Sequence, residues 1–332
     1  MQRRTFLGAG LALPFLMSMA GENKRATLPD RLQPGDTIGL IAPGSSATEK
    51  AIVKAIRQIE SLGLSVKTGK NLRAINGFLA GTDQERLDDL HAMFADPTVK
   101  AVWCVRGGYG CGRLLPGIDY KMIRRNPKVL IGYSDITALM TAITLKTGLV
   151  TFHGPVGSSD FTDFTTKYLK AALLSGHNWL PIERSDAHPE TSTFAPFTIR
   201  GGVATGDIWG GNLSLLSAAV GTGYAPPLKG KLLFIEEIGE NPYRIDRMLT
   251  QLRQSWDLGS TAGILLGVFR GCEADPDDRS LSLRETLTGR FEDLGVPVAY
   301  GFSIGHIKDM CTLPIGLKAR VDMEEMLIEI IE

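Results

Sequence analysis

Three stretches of the chain carry residue types suited to acyl transfer, and each follows an apolar, strand-like run. In KVLIGYSDITALM, Ser134 stands between a β-branched run (Val129, Leu130, Ile131) and the helical spacing of Ile136, Leu139 and Met140. A serine there can cap the helix by accepting from an orphan backbone N–H, with Asp135 favourable beside the positive end of the dipole. It can also be a nucleophile, with the N–H of Asp135 at the helix start stabilising an oxyanion. The second stretch is RGGYGCGR, Arg106 to Arg113. The glycines, above all Gly107 and Gly108, let backbone N–H groups approach a ligand closely, so the loop is either an anion cradle or a tight turn. It is no dinucleotide fingerprint, because Arg113 stands where a third glycine belongs, and no phosphate loop is present. In the third, LLFIEEIGE, the run Leu232 to Ile235 delivers Glu236 and Glu237 to a strand end, as a solvated edge or as a working carboxylate.

A serine nucleophile needs a base, and there are five histidines. His91 lies in a helix pattern, and His177 and His188 lie in a polar, proline-containing segment. His153 in TFHGP and His306 in GFSIGHIKD remain. Neither has metal-ligand spacing to another His or Cys, so no metal is expected. His306 follows the strand-like VPVAYGF and reads as part of a flexible Gly-Phe-Ser-Ile-Gly loop, a position for an accessible imidazole. Ser134, Glu236 and His306 thus make a possible triad in the chain order of α/β-hydrolases. Gly132-Tyr133-Ser134-Asp135-Ile136 lacks the second glycine of their Gly-x-Ser-x-Gly elbow, which disfavours an ordinary member of that class.

The positioning elements alternate. Thr37 to Pro43, Lys100 to Val105, Lys128 to Tyr133 and Leu149 to Phe152 read as strands, and Ala47 to Gly63, Asp83 to Phe94 and the segment from Ser134 read as helices. Alternation predicts a parallel sheet covered by helices, with ligands beyond the carboxyl ends of the strands. Residues 27–175 are expected to form this nucleophile domain and 176–196 a linker. Residues 197–332 are expected to form a second domain that carries Glu236 and His306, with strands Lys231 to Glu236 and Ala262 to Phe269 and helices near Asn212 to Val220 and Pro242 to Trp256.

The chain has 332 residues, and Lys+Arg and Asp+Glu balance at 36 each, so no nucleic-acid partner is implied. MQRRTFLGAGLALPFLMSMA joins an arginine pair to an uncharged stretch too short to span a bilayer comfortably. It looks like a twin-arginine export leader, so residues 1–25 are expected to be a signal peptide and the mature chain periplasmic, without stable membrane insertion. A leader that did not function would leave it cytoplasmic. Cys104, Cys111, Cys272 and Cys311 show no Cys-x-x-Cys spacing and read as mainly structural, as free buried thiols ahead of the bridges that an oxidising compartment would permit.

Taken together, IGLIAPGS, AVWCVRGGYGCGRLLPGID, VLIGYSDIT, FHGP, GGNLSLL, LLFIEEIGENPYRIDRML and GFSIGH, in this order, resemble the LD-carboxypeptidases. These serine peptidases include muramoyl-tetrapeptide carboxypeptidase and the microcin C self-immunity peptidase. The resemblance implies an α/β fold with a Rossmann-like or flavodoxin-like amino-terminal domain and a smaller β-rich α+β carboxy-terminal domain, often as a homodimer. It implies Ser134 as nucleophile, Glu236 rather than Glu237 as acid, and His306 as general base, with no cofactor. Asp135, Gly107 and Gly108 would supply oxyanion N–H groups, and Arg106 and Arg244 are candidates for a substrate carboxylate. The expected substrate is a murein tetrapeptide ending in D-alanine. A peptidase or amidase that detoxifies a peptide antibiotic, or a non-catalytic murein-peptide binder, are the alternatives.

Overall fold

The computed structural model describes residues 26–185 and 194–331. The leader expected at residues 1–25 and part of the expected linker lie outside the described residues. In the first half, five short segments become parallel strands: β1 (Thr37–Ile41), β2 (Ser65–Thr68), β3 (Val99–Cys104), β4 (Val129–Gly132) and β5 (Thr151–His153), with those of β1, β3 and β4 mostly apolar. Helices α1 (Glu49–Glu60), α2 (Asp83–Ala95), α3 (Tyr120–Arg125), α4 (Thr137–Thr147) and α5 (Asp163–Leu173) connect or cover them. Four of the five begin with a side-chain cap, from Thr48, Thr82, Asp119 and Thr162, which satisfies one orphan N–H each. Strand order places β1 between β2 and β3, so the chain reverses its direction of winding at the β1/β3 boundary. The loops that leave those two strands diverge there and open a crevice.

The second half contributes β6 (Phe197–Arg200), β7 (Val203–Asn212), β8 (Leu232–Ile238), β9 (Gly263–Arg270), β10 (Val298–Gly305), β11 (Leu313–Ile315), β12 (Lys318–Asp322) and β13 (Leu327–Ile331), with helices α6 (Leu213–Ala219), α7 (Pro242–Ser255) and α8 (Leu283–Phe291). Strands β7 to β10 run parallel, and β6, β12 and β13 extend the sheet antiparallel on its two sides. Leu313–Ile315 departs from the expected division of the chain. Although it belongs by sequence to the second domain, β11 pairs antiparallel with β5 and completes the first sheet. A three-residue strand gives too little periodicity to announce which sheet it joins.

Alternating strand faces sort the side chains into three apolar clusters. Leu130 of β4 and Leu232 and Phe234 of β8 meet in one cluster between the two sheets. Ile131 turns to the outer layer with α1 and α5, while Leu233 and Ile235 turn to the outer layer with α7 and α8. Helix α4 lies within the shared layer. Leu139, Met140, Thr141, Ala142, Ile143 and Thr144 in succession are buried, as expected of a helix enclosed on all sides. All four cysteines are buried and free, and burial pushes the Cys272 and Cys311 thiols up to about 12, so they are inert at neutral pH.

The sheets touch tightly where β7 ends. Gly211 has φ +145°, and a Cβ there would lie 2.4 Å from Thr137 Cγ2, while the next residue, Asn212, donates its N–H to Thr137 Oγ1 at 3.2 Å. Thr137 begins α4, so this seam fixes α4 against the second sheet. Gly211→Ala is expected to destabilise the protein by at least about 2 kcal/mol, combining overpacking with backbone strain. Equilibrium denaturant unfolding of the two proteins checks it.

Candidate active site

Strand β4 ends at Gly132, and two residues later Ser134 takes φ +63°, a left-handed conformation uncommon for a residue with a Cβ. Such a residue costs about 1–2 kcal/mol unless its surroundings impose it. Ser134 opens a single 3-10 turn, Ser134–Ile136, that leads directly into α4. The capping role considered for Ser134 is not realised. The turn is preceded by Tyr133, α4 by Ile136, and neither start has a side-chain cap bond. The physical reason is the positive φ, since a capping serine needs extended backbone.

The glycine loop after β3 closes on this turn. A Cβ at Gly107 would lie 3.1 Å from Ser134 Cβ and 3.3 Å from the backbone nitrogen of Asp135. Gly108, at φ +100°, leaves space that Ser45 Oγ fills, and that oxygen accepts the N–H of Tyr109 at 3.0 Å. Ser45 also donates its N–H to the carbonyl of Gly107 at 3.2 Å, so the loops leaving β1 and β3 are tied together across the crevice. Asp135 is buried, and its Oδ2 accepts the N–H of Cys111 at 2.9 Å. Its side chain therefore anchors the far end of the glycine loop while its backbone borders Ser134. Arg86, a fully buried arginine on α2, adds a further tie by donating Nη1 to the carbonyls of Pro43 (2.6 Å) and Gly110 (3.0 Å).

The second sheet brings the acid and the imidazole. Strand alternation places Glu236 on the same face of β8 as Leu232 and Phe234, toward the first sheet, and Glu237 on the other. Glu236 is 0% exposed, and its Oε2 lies 2.7 Å from His306 Nδ1. Glu237 is spent on structure: it accepts from Asn212 Nδ2 and from the N–H and hydroxyl of Ser214, which locks the start of α6, and desolvation raises its pKa. His306 follows β10 directly. The Gly-Phe-Ser-Ile-Gly segment expected to be a flexible loop is instead the last part of this buried strand. Gly301, at φ +109°, lies where the pairing of β10 with β9 shifts register. Ala299 packs in the shared layer and Tyr300 in the outer one, whereas Phe302 and Ile304 pack in the shared layer. This irregularity reverses the alternation and puts His306 on the face of Glu236. The His306 ring stands edge-on to Tyr133, centroids 4.8 Å apart, so it is beside the residue preceding Ser134.

The remaining candidates separate. Arg106 is exposed and donates to the carbonyl of Ser46 at 3.2 Å. Arg244 is engaged at the start of α7, with Nε donating to Tyr243 Oη at 3.0 Å and Nη1 3.3 Å from Glu240 Oε2. His91 Nε2 accepts the N–H of Asp119, far along the chain from the site residues, and His177 is exposed. Among the described residues no group of three or more His, Cys, Asp or Glu side chains is arranged to hold a metal ion. Of two further neighbours, Arg270 was not legible as a site residue, and His153, the other candidate histidine, proves to be a buried one. Arg270, the last residue of β9, donates Nη1 to the carbonyl of His306 at 3.2 Å. His153, at the end of β5, is 0% exposed and packs edge-on to Phe234 and Tyr133.

An acid hydrogen-bonded to an imidazole beside a strained serine, on two α/β sheets, defines a hydrolase of the serine type. The sequence comparisons narrow the class. Residues 38–154 match the LD-carboxypeptidase N-terminal domain, and residues 205–321 match the LD-carboxypeptidase C-terminal domain. The probable murein peptide carboxypeptidase of Bacillus subtilis (strain 168) is 45% identical over 299 residues, which cover 90% of this chain and 92% of that protein. The murein tetrapeptide carboxypeptidase of Pseudomonas aeruginosa is 34% identical, covering 85% of this chain and 92% of that protein. The crystal structure of an MccF-like protein from Bacillus anthracis str. Ames is similar with a TM-score of 0.81 at 34% identity, covering 92% of this chain and 99% of that one. The chain belongs to the LD-carboxypeptidase family and is a serine carboxypeptidase.

His153 gives the site a measurable acid limit. Complete burial lowers its pKa to about 4, so it is neutral in the folded protein near pH 7. The unfolded chain binds a proton there below about 6.5, and the folded one only below about 4. Unfolding therefore takes up a proton between these values, and the stability contributed by neutral His153 is lost as pH falls through that window, on the order of 3 kcal/mol in all. Denaturant unfolding from pH 7 down to pH 4.5 is expected to show a shallower acid decline for His153→Phe than for the wild type.

Proposed function

We propose that the protein is an LD-carboxypeptidase that releases the terminal D-alanine of murein tetrapeptides through a Ser134–His306–Glu236 triad and an acyl-enzyme. The observation that carries this reading is the 2.7 Å contact between His306 Nδ1 and the fully buried Glu236. A carboxylate that accepts from Nδ1–H leaves Nε2 as the basic nitrogen, and it stabilises the imidazolium once a proton arrives. Ser134 Oγ attacks the carbonyl between the L-centre of the diamino acid and D-alanine, and His306 Nε2 takes the hydroxyl proton. The oxyanion is held by the backbone N–H groups of Asp135 and of Gly107 and Gly108, each donor in such a hole being worth roughly 3 to 4 kcal/mol. His306 then protonates the leaving amine. Water enters, His306 deprotonates it, and its attack on the acyl carbonyl frees the tripeptide and Ser134. Each proton removed is returned within this cycle, which calls on no metal or cofactor.

The left-handed turn supports this assignment. It sets Ser134 at the sharp junction of β4 and α4 with the Asp135 N–H next to it, the arrangement a nucleophile needs to share its position with an oxyanion donor. The site of action proposed is the periplasm, reached through the twin-arginine leader read in residues 1–25. A peptide antibiotic as the substrate is the second reading, supported by the likeness to the MccF-like protein.

Purified wild type is expected to release D-alanine from the tetrapeptide, followed by chromatography or mass spectrometry of the products, and to leave aminoacyl-nucleotide analogues nearly untouched. Efficient turnover of the analogues alone would favour the second reading. Ser134→Ala is expected to lose at least about four orders of magnitude in kcat, as removal of a triad nucleophile does. D-alanine release at the wild-type rate from this variant would rule out the catalytic role.

A further inference from the structure

A carboxypeptidase must distinguish a chain end from an internal bond, and the chemical mark of that end is a carboxylate one residue beyond the scissile carbonyl. Consecutive Cα atoms are about 3.8 Å apart, so a cation that reads the mark must stand close to the nucleophile and base. Arg106 is held by Ser46, Arg244 is paired with Glu240, and Arg113 is paired with Asp83. Arg106 and Arg270 each give one Nη1 to a backbone carbonyl at 3.2 Å, and Arg270 differs from all three in that its partner carbonyl belongs to His306. Its backbone is fixed at the end of β9, where its carbonyl accepts the N–H of Gly239 at 2.9 Å, and its Nη1 donates to the carbonyl of His306 itself at 3.2 Å. It is exposed, and among the described residues no carboxylate lies within ion-pair distance of it. Its charge also reaches the phenol of Tyr133, the residue before Ser134, favouring the phenolate against the dominant effect of burial. The guanidinium is therefore placed by its hydrogen bond to the backbone of His306.

We propose that Arg270 binds the terminal carboxylate of the substrate and makes the enzyme an exopeptidase. This rests on the reading of the protein as an LD-carboxypeptidase. A guanidinium presents five N–H donors in a planar fork, and the His306 carbonyl uses only one of its arms. The other N–H groups can meet a carboxylate in the paired, charge-assisted geometry that a lysine cannot reproduce. The strand end that carries Arg270 is hydrogen-bonded to the end of β8, two residues beyond Glu236, so recognition and base are built on one rigid edge.

The test compares two peptides that differ only at this mark: the tetrapeptide ending in free D-alanine and the same peptide ending in D-alaninamide. Wild type is expected to favour the free acid by about 100-fold or more in kcat/KM, the range of a hydrogen-bonded charge pair. In Arg270→Ala, turnover of the acid is expected to fall by a similar factor and turnover of the amide far less, so that discrimination nearly disappears. Arg270→Lys should retain part of it. Equal losses on both peptides would mean that Arg270 only supports His306, and undiminished discrimination would mean that the carboxylate binds elsewhere; either result overturns the proposal. Wild type inert on both peptides would instead overturn the functional reading, visible before any variant is made, and this inference with it.

Discussion

The left-handed backbone of Ser134 is the constraint on which the rest of the structure depends. A residue with a Cβ stays in this conformation only when its neighbours leave it no alternative. Strand β4, buried on both faces, fixes the approach, and helix α4, enclosed between the two sheets, fixes the departure. The glycine loop closes the remaining side, where a Cβ at position 107 would crowd Ser134 Cβ at 3.1 Å. Strain at one residue is thus carried by a strand, a helix and a loop that are each over-determined by packing.

The same layer that holds α4 also delivers the proposed acid and base. Glu236 comes from β8 and His306 from the end of β10, both from the second sheet, while Ser134 comes from the first. The site therefore exists only as long as the sheets stay docked. Three features hold them: the contact of Gly211 with Thr137, the apolar cluster shared by both, and β11, which the second half of the chain lends to the first sheet. Burial of Glu236 adds a demand of its own. Its Oε1 has no hydrogen-bond partner among the described residues, nor do the ring nitrogens of nearby His153, so among the described residues His306 alone satisfies this carboxylate. An acid kept this dry is strongly committed to its single imidazole partner.

Much of this was legible in the sequence, and the residues that were not have a common cause. Apolar runs announced β1, β3, β4, β8 and β9, and helical spacing announced α1 and α2. Local pattern left Ser134, Glu236 and His306 each ambiguous; their joint occurrence in a series of family motifs is what singled them out. The capping expectation for Ser134 failed because a positive φ is imposed by tertiary packing and leaves no mark on a serine. The Gly-Phe-Ser-Ile-Gly segment looked like a loop because a strand irregularity at Gly301 breaks the two-residue period from which strands are read. Yet that irregularity is what turns His306 to the face of Glu236. Arg270 was hidden as the polar end of an apolar strand, since nothing in the spacing of sequence ties position 270 to position 306.

The central claim is that Ser134 carries the acyl group during turnover. Rapid acid quench of the wild-type enzyme mixed with tetrapeptide, followed by mass mapping of the digested protein, tests it most directly. The account predicts a tripeptide acyl mass on the segment that contains Ser134, appearing with the first D-alanine released and absent from Ser134→Ala. A first turnover that frees D-alanine while the acyl mass lies on another residue would contradict it.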